Sequence, residues 1–89
     1  MKTKILIVED EAIVGLQIKK ALMSMDFEVS NVVSLYEDVF DCITDNEPDI
    51  IMMDIKLAGS PKDGIEIVEE IQRIRNIPVV YLTAFGDDK

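Results

Sequence analysis

Acidic residues follow two apolar runs of the sequence, at the point where each run ends. Glu9 and Asp10 come directly after Lys4–Val8, and Asp54 comes directly after Asp49–Met53. If the two runs are neighbouring strands of a parallel sheet, the three carboxylates lie close together, repel one another and resist full ionisation. A divalent cation relieves that repulsion. Magnesium suits such a site because it accepts one or two carboxylates, keeps waters and takes further ligands from a phosphoryl group.

Asp54 is the candidate nucleophile of this cluster. At the end of a buried strand and beside a cation, its carboxylate could attack phosphorus. Phosphoryl transfer needs mainly positioning and charge neutralisation, so a short set of residues is enough. Thr83 follows a third apolar run, where its hydroxyl could donate a hydrogen bond to a phosphoryl oxygen, and the small Ala84 leaves room for the group.

Each of these residues also has an ordinary structural explanation. An acid after a strand is commonly a helix N-cap or a first-turn residue favoured by the helix dipole. Asp54 alone would fit a turn, and Thr83 alone would fit a cap. Taken singly, the structural explanation is favoured for each residue. At the ends of three strands in one topology, the functional explanation is favoured.

Apolar runs and amphipathic segments alternate along the chain. Four segments predict strands, at Lys4–Val8, about Glu28–Val33, Asp49–Met53 and Ile77–Leu82. Between them, apolar residues recur at helical spacing and predict three helices. Their predicted inward-facing residues are Val14, Ile18, Ala21, Leu22 and Met25, then Leu35, Val39, Cys42 and Ile43, then Ile67, Val68, Ile71 and Ile74. The order βαβαβαβ predicts a parallel sheet with helices on both faces, in which ligands bind beyond the carboxyl ends of the strands.

Three single positions carry further expectations. Gly15, inside the first helix pattern, is expected to permit close packing. Asp26 stands where a helix often ends in the left-handed conformation. The stretch Leu57–Gly64, with two glycines and a proline, is expected to be a loop.

The composition limits the possible function classes. The 89 residues make at most one small domain, and a 48% hydrophobic content is typical of a soluble globular chain. The net charge of -9 argues against direct contact with nucleic acid or anionic membranes. Cys42 is the one cysteine and histidine is absent, which excludes an internal disulfide and histidine-dependent chemistry within the chain. No apolar run approaches the roughly 20 residues that span a bilayer, and we expect a cytoplasmic location.

Four segments together resemble the signature blocks of response-regulator receiver domains. They are Ile5–Glu11, Pro48–Leu57, Asp63–Gly64 and Pro78–Ala84, and they occur in the family's order across the whole chain. The resemblance implies an α/β fold of the flavodoxin-like, doubly wound type, with a parallel sheet in strand order 2-1-3-4. It also implies a signalling domain of a two-component system rather than an enzyme with an external substrate.

The same resemblance implies a role for each site residue. Asp54 is implied to be the phosphoacceptor, which receives a phosphoryl group from a sensor histidine kinase in a magnesium-dependent reaction. Asp10 is implied to be a direct magnesium ligand and Glu9 a ligand through water, and the backbone carbonyl of Lys56 a further ligand. Thr83 is implied to be the switch hydroxyl that moves toward the phosphoryl group.

The chain departs from the family pattern in two places. Ala58 stands where family members usually have proline, and the loop to Gly64 is longer than usual. Receiver domains also normally continue with a helix, a fifth strand preceded by a site lysine, and a final helix, and Lys89 comes too early to be that lysine. We therefore expect residues 1–89 to be one receiver domain that is incomplete at its C-terminus. We expect self-association through the exposed edge of the shortened sheet and weakened phosphorylation.

Two other functions remain open from the sequence. One is a pseudo-receiver, a structural or dimerisation module without productive phosphorylation, which the missing lysine favours. The other is a small metal-dependent phosphatase or a nucleotide-binding domain. It is disfavoured because no glycine-rich phosphate loop follows the first strand.

Overall fold

The computed structural model describes residues 2–57 and 60–82, in which strands and helices alternate. The elements are β1 (Lys4–Val8), α1 (Ala12–Ser24), β2 (Glu28–Val33), α2 (Tyr36–Asn46), β3 (Ile50–Asp54), α3 (Gly64–Ile74) and β4 (Val79–Leu82). The four strands form one parallel sheet in the order β2-β1-β3-β4. The predicted α/β architecture and strand order are therefore confirmed.

The strand β1 lies inside the sheet, between β2 and β3, and its burial explains its continuous apolar sequence. Leu6 and Ile7 are completely buried, one toward each face, as expected for a parallel strand that is covered by helices on both sides. In the neighbouring strand β3, Met53 pairs with Val8 of β1. The next residues, Glu9 and Asp54, therefore emerge together at the carboxyl edge of the sheet.

Two apolar layers pack on opposite faces of the sheet. The larger layer combines sheet residues with the inner faces of α2 and α3, including Val39, Ile67 and Ile71. The smaller layer lies under α1, where Leu22 is buried and Ile18 is half-buried. The helices thus hold the sheet from both sides. None of the described helices is long and apolar enough to cross a membrane.

Gly15 brings α1 close to the sheet, as expected from the sequence. A Cβ added at this position would lie 2.5 Å from Cγ1 of Val32 and 3.8 Å from Cβ of Glu9. The inward line of the helix therefore runs through Gly15, Ile18 and Leu22. It is shifted slightly from the predicted line, which began at Val14.

The predicted apolar faces are wrong mainly at the helix ends. Leu35 precedes α2, Met25 follows α1 and Ile74 is the last residue of α3, and all three are exposed. Ala21 is exposed as well, on the flank of α1. Helical spacing places Ile74 on the same face as Ile71, but no described residue covers that last turn. Periodicity gives the direction of a side chain, and it does not show where the neighbouring layer stops.

The turns agree with the sequence except for small shifts. Asp26 has φ 69°, in the left-handed region that was expected for it. The strand β3 begins and ends one residue later than predicted, and β4 begins at Val79 instead of Ile77. The shift in β3 makes Asp54 the last residue of the strand itself, in register with Leu82 of β4.

Candidate functional site

Three carboxylates converge at the carboxyl edge of the sheet. Glu9, Asp10 and Asp54 each offer one oxygen, and these oxygens lie within 4.8 Å of one another. Glu9 is buried, whereas Asp10 and Asp54 are half-buried. This is the one cluster of at least three potential metal ligands among residues 2–57 and 60–82. The structure therefore brings together three of the five predicted site residues.

The carboxyl of Glu9 has a raised pKa. Burial is the largest of the causes that raise this pKa to about 7, and side-chain hydrogen bonds with Asp54 and Asp10 and the charge of Asp54 act in the same direction. The backbone N–H of Glu11 donates to Oε2 of Glu9 at 3.2 Å and partly opposes the rise. Without a cation, the Glu9 carboxyl thus holds its proton to a higher pH than an ordinary glutamate does.

Asp54 is held by the backbone around it while its carboxylate stays accessible. The N–H of Lys56 donates to Oδ1 of Asp54 at 3.3 Å. Gly64 N donates to the carbonyl oxygen of Ile55 at 2.8 Å, so the first residue of α3 returns to the end of β3. A half-buried carboxylate on a rigid strand end suits a nucleophile that must meet a partner from solution.

The start of α3 is fixed by a capping box that the sequence interpretation missed. Asp63 accepts a hydrogen bond from the N–H of Glu66 at 2.9 Å, and Glu66 accepts one from the N–H of Asp63 at 3.0 Å. The spacing of an N-cap acid with Glu three residues later was the signal that could have shown it. The box places Gly64 against Asp54 and so shapes the rim of the site.

The ligand chemistry of the cluster fits magnesium. Three carboxylates supply the hard oxygen ligands that magnesium prefers, and Asp10 and Asp54 are partly exposed to solvent. The role of the Lys56 carbonyl as a further ligand stays a prediction. Thr83 lies outside the described residues, and its place at the site also stays a prediction.

The acids lie at the carboxyl ends of β1 and β3, where the strand order of the sheet reverses. A parallel α/β sheet with acids at that point defines a class of phosphate- or metal-binding α/β domains. Within that class, residues 5–89 match the response regulator receiver domain family. The chain belongs to that family.

Relatives of known sequence or structure support the assignment. The chain is 30% identical over 83 residues to the transcriptional regulatory protein PdtaR of Mycobacterium tuberculosis, an overlap of 93% of this chain and 40% of that protein. Among solved structures, the anti-anti-sigma factor PhyR of Bartonella quintana superposes with a TM-score of 0.86 at 28% identity, over 96% of this chain and 34% of PhyR.

The receiver domain of Klebsiella pneumoniae RstA, in its BeF3-activated form, is similar over most of its length. It superposes with a TM-score of 0.82 at 32% identity and covers 96% of this chain and 70% of that chain. The chain spans well under half of PdtaR and PhyR. The likeness to those two proteins therefore concerns only a part of each.

Proposed function

We propose that this chain is a phosphoacceptor switch of a two-component system, in which Asp54 receives a phosphoryl group from a sensor histidine kinase with the help of magnesium. The observation that carries the proposal is the convergence of Glu9, Asp10 and Asp54 within 4.8 Å at the switch edge of the sheet. A receiver domain is a signalling domain, and this one catalyses at most its own phosphorylation and dephosphorylation.

The residues of the site divide the work of phosphoryl transfer. An Asp54 oxygen attacks phosphorus as the bond from phosphorus to the donor's imidazole nitrogen breaks. Asp10 and Glu9 would hold the cation, and the backbone carbonyl of Lys56 would be a further ligand. Bound magnesium supplies positive charge for the phosphoryl oxygens. Thr83 is proposed to donate its hydroxyl proton to a phosphoryl oxygen and so report the modified state.

The test is intact mass after incubation with a small-molecule phosphodonor, with and without magnesium. We expect a magnesium-dependent gain of one phosphoryl group that is lost in Asp54→Asn. Asp45→Asn is the matched control, because it makes the same chemical change on the exposed surface of α2. Absence of any gain in the unchanged chain would contradict the proposal. It would favour the pseudo-receiver alternative, a structural or dimerisation module.

We also propose that the chain self-associates through β4. Among the described residues this strand has one neighbouring strand, β3, and its Val80 and Tyr81 are exposed. An unpaired edge with apolar side chains favours pairing with another chain. Sedimentation should show a concentration-dependent dimer that Val80→Lys disrupts, and a chain that stays monomeric at every concentration would contradict this. A cytoplasmic location, no membrane contact and no direct nucleic-acid contact complete the proposal.

A further inference from the structure

One carboxylate of α3 is contacted by side chains from two other segments. Glu70 forms an ion pair through Oε2 with the ammonium of Lys62, and its Oε1 accepts a hydrogen bond from the Tyr36 hydroxyl at 2.8 Å. The Glu70 side chain is only 19% exposed. Both oxygens of a mostly covered carboxylate thus join residues that are far apart in the sequence.

Lys62 belongs to the segment that leads back to Asp54. The Ser60 hydroxyl donates to the carbonyl oxygen of Lys62 at 2.6 Å and accepts from the N–H of Lys62 at 3.2 Å. The next residues are Asp63, which caps α3, and Gly64, which packs against the backbone of Asp54. Movement of the Lys62 backbone is therefore linked through two residues to the candidate phosphoacceptor.

Tyr36 occupies the first position of α2, at the same edge of the sheet. Leu35, the N-cap of that helix, makes no capping hydrogen bond through its side chain. The Tyr36 ring packs edge-to-face on Phe40, with ring centroids 5.9 Å apart. The hydrogen bond to Glu70 is thus a direct side-chain contact between this helix start and α3.

We propose that Glu70 is a positioning residue that couples the order of the Ser60–Asp63 segment to the order of the first turn of α2. A change that displaces Lys62 removes the ion pair that helps to fix the Glu70 side chain. The hydrogen bond from Tyr36 to Glu70 is then weaker, and the first turn of α2 is less ordered. Because coupling between two sites is reciprocal, loosening Tyr36 loosens the segment beside Asp54 to the same extent. The surface at the start of α2 thereby senses the state of the loop that borders Asp54. This coupling goes beyond the proposed phosphorylation and does not require it.

Amide hydrogen exchange of the full 89-residue chain, without phosphodonor, tests the coupling. Tyr36→Phe removes one hydroxyl that does not touch the loop, yet we expect it to raise exchange at Lys62 and Asp63 about two- to tenfold, the effect of losing one hydrogen bond. Lys62→Met should raise exchange at Asp38 and Val39 in the first turns of α2. Tyr36→Phe keeps the ring that packs against the core, and Lys62 is not a core residue.

The decisive comparison repeats both substitutions in a Glu70→Gln background. Glutamine keeps an oxygen that can accept the Tyr36 hydrogen bond but loses the ion pair with Lys62. We expect Lys62→Met to have no further effect on α2 there, whereas Tyr36→Phe still raises exchange in α2. Glu69→Gln, at an exposed neighbouring position of α3, is the matched control and should leave both segments unchanged.

The coupling is overturned if each substitution changes exchange only in its own segment. It is also overturned if Lys62→Met has its full effect on α2 in the Glu70→Gln chain. A failure of Asp54 to accept a phosphoryl group would leave these exchange rates untouched. The two proposals therefore fail independently.

Discussion

Gly64 lies so close to Asp54 that any side chain at position 64 would overlap the backbone carbonyl of the candidate phosphoacceptor. An added Cβ would also lie 2.9 Å from Cγ of Met53. The first turn of α3 therefore packs directly on the strand that carries Asp54. This contact links the stability of the fold to the geometry of the site.

Gly64→Ala should destabilise the chain and impair its phosphorylation. Because the obstructing atoms are backbone, they cannot move aside cheaply, and we expect a loss of about 1–3 kcal/mol in the free energy of unfolding. Urea denaturation measures the loss, and intact mass after phosphodonor treatment follows the site. Ile65→Ala, at the exposed next position, should change stability far less. An unchanged denaturation midpoint for Gly64→Ala would show that the close contact is absent in solution.

Gly15→Ala should destabilise the chain despite the better helix propensity of alanine. In an exposed helix interior this change stabilises by about 1 kcal/mol. Here the new Cβ would meet Val32 Cγ1 at 2.5 Å, and Val32 is a half-buried residue of β2 on the face that α1 covers. Val32→Ala removes the obstructing methyl group, so the double variant should recover the loss caused by Gly15→Ala. Additive effects in the double-mutant cycle would contradict the predicted contact.

Much of the fold follows from local patterns, since β1, β3 and β4 are largely continuous apolar runs. The bounds of β1 and β2 match the prediction, and so does the order of all elements. The convergence of Glu9 with Asp54 was also predictable, because parallel strands end at the same edge of a sheet. The position of a residue at a sheet edge can therefore be predicted from the sequence when the topology alone determines that edge.

Long-range side-chain contacts could not be predicted from the sequence. Tyr36 and Glu70 are 34 positions apart, and nothing in the spacing of either residue indicates the other. The same holds for the ends of the helices, where Met25 and Ile74 fit the apolar pattern but lie beyond the covering layer. These features depend on how far one layer extends over another, which is a property of the assembled structure.

Magnesium should stabilise the folded chain. A ligand that binds only the native state raises the free energy of unfolding with concentration, by about 2.7 kcal/mol at a hundredfold excess over its dissociation constant. Thermal unfolding with increasing magnesium, reversed by a chelator, measures this. Asp10→Asn should remove most of the effect, whereas Asp45→Asn on α2 should retain it. Equal magnesium responses in both variants would place the cation elsewhere.

The pKa of Glu9 predicts how stability depends on pH when no metal is present. Burial and the neighbouring acids raise the pKa from the model-compound value of 4.5 to about 7 in the folded chain. Between these two values the native state binds the proton that the unfolded state has released. Stability contributed by this group is therefore fully present below about 4.5 and is lost as the pH rises through about 7, by up to about 3 kcal/mol.

Glu9→Gln isolates this contribution, since glutamine keeps the size of the side chain and cannot ionise. We expect the difference in unfolding free energy between Glu9→Gln and the unchanged chain to shift in favour of the variant as the pH rises from about 5 to about 8. Saturating magnesium should abolish or reverse that shift, because the cation favours the ionised carboxylate and the variant lacks it. Glu11→Gln, two residues along and exposed, is the matched control and should give a flat difference. A difference for Glu9→Gln that is equally flat in the metal-free chain would mean that the raised pKa is wrong.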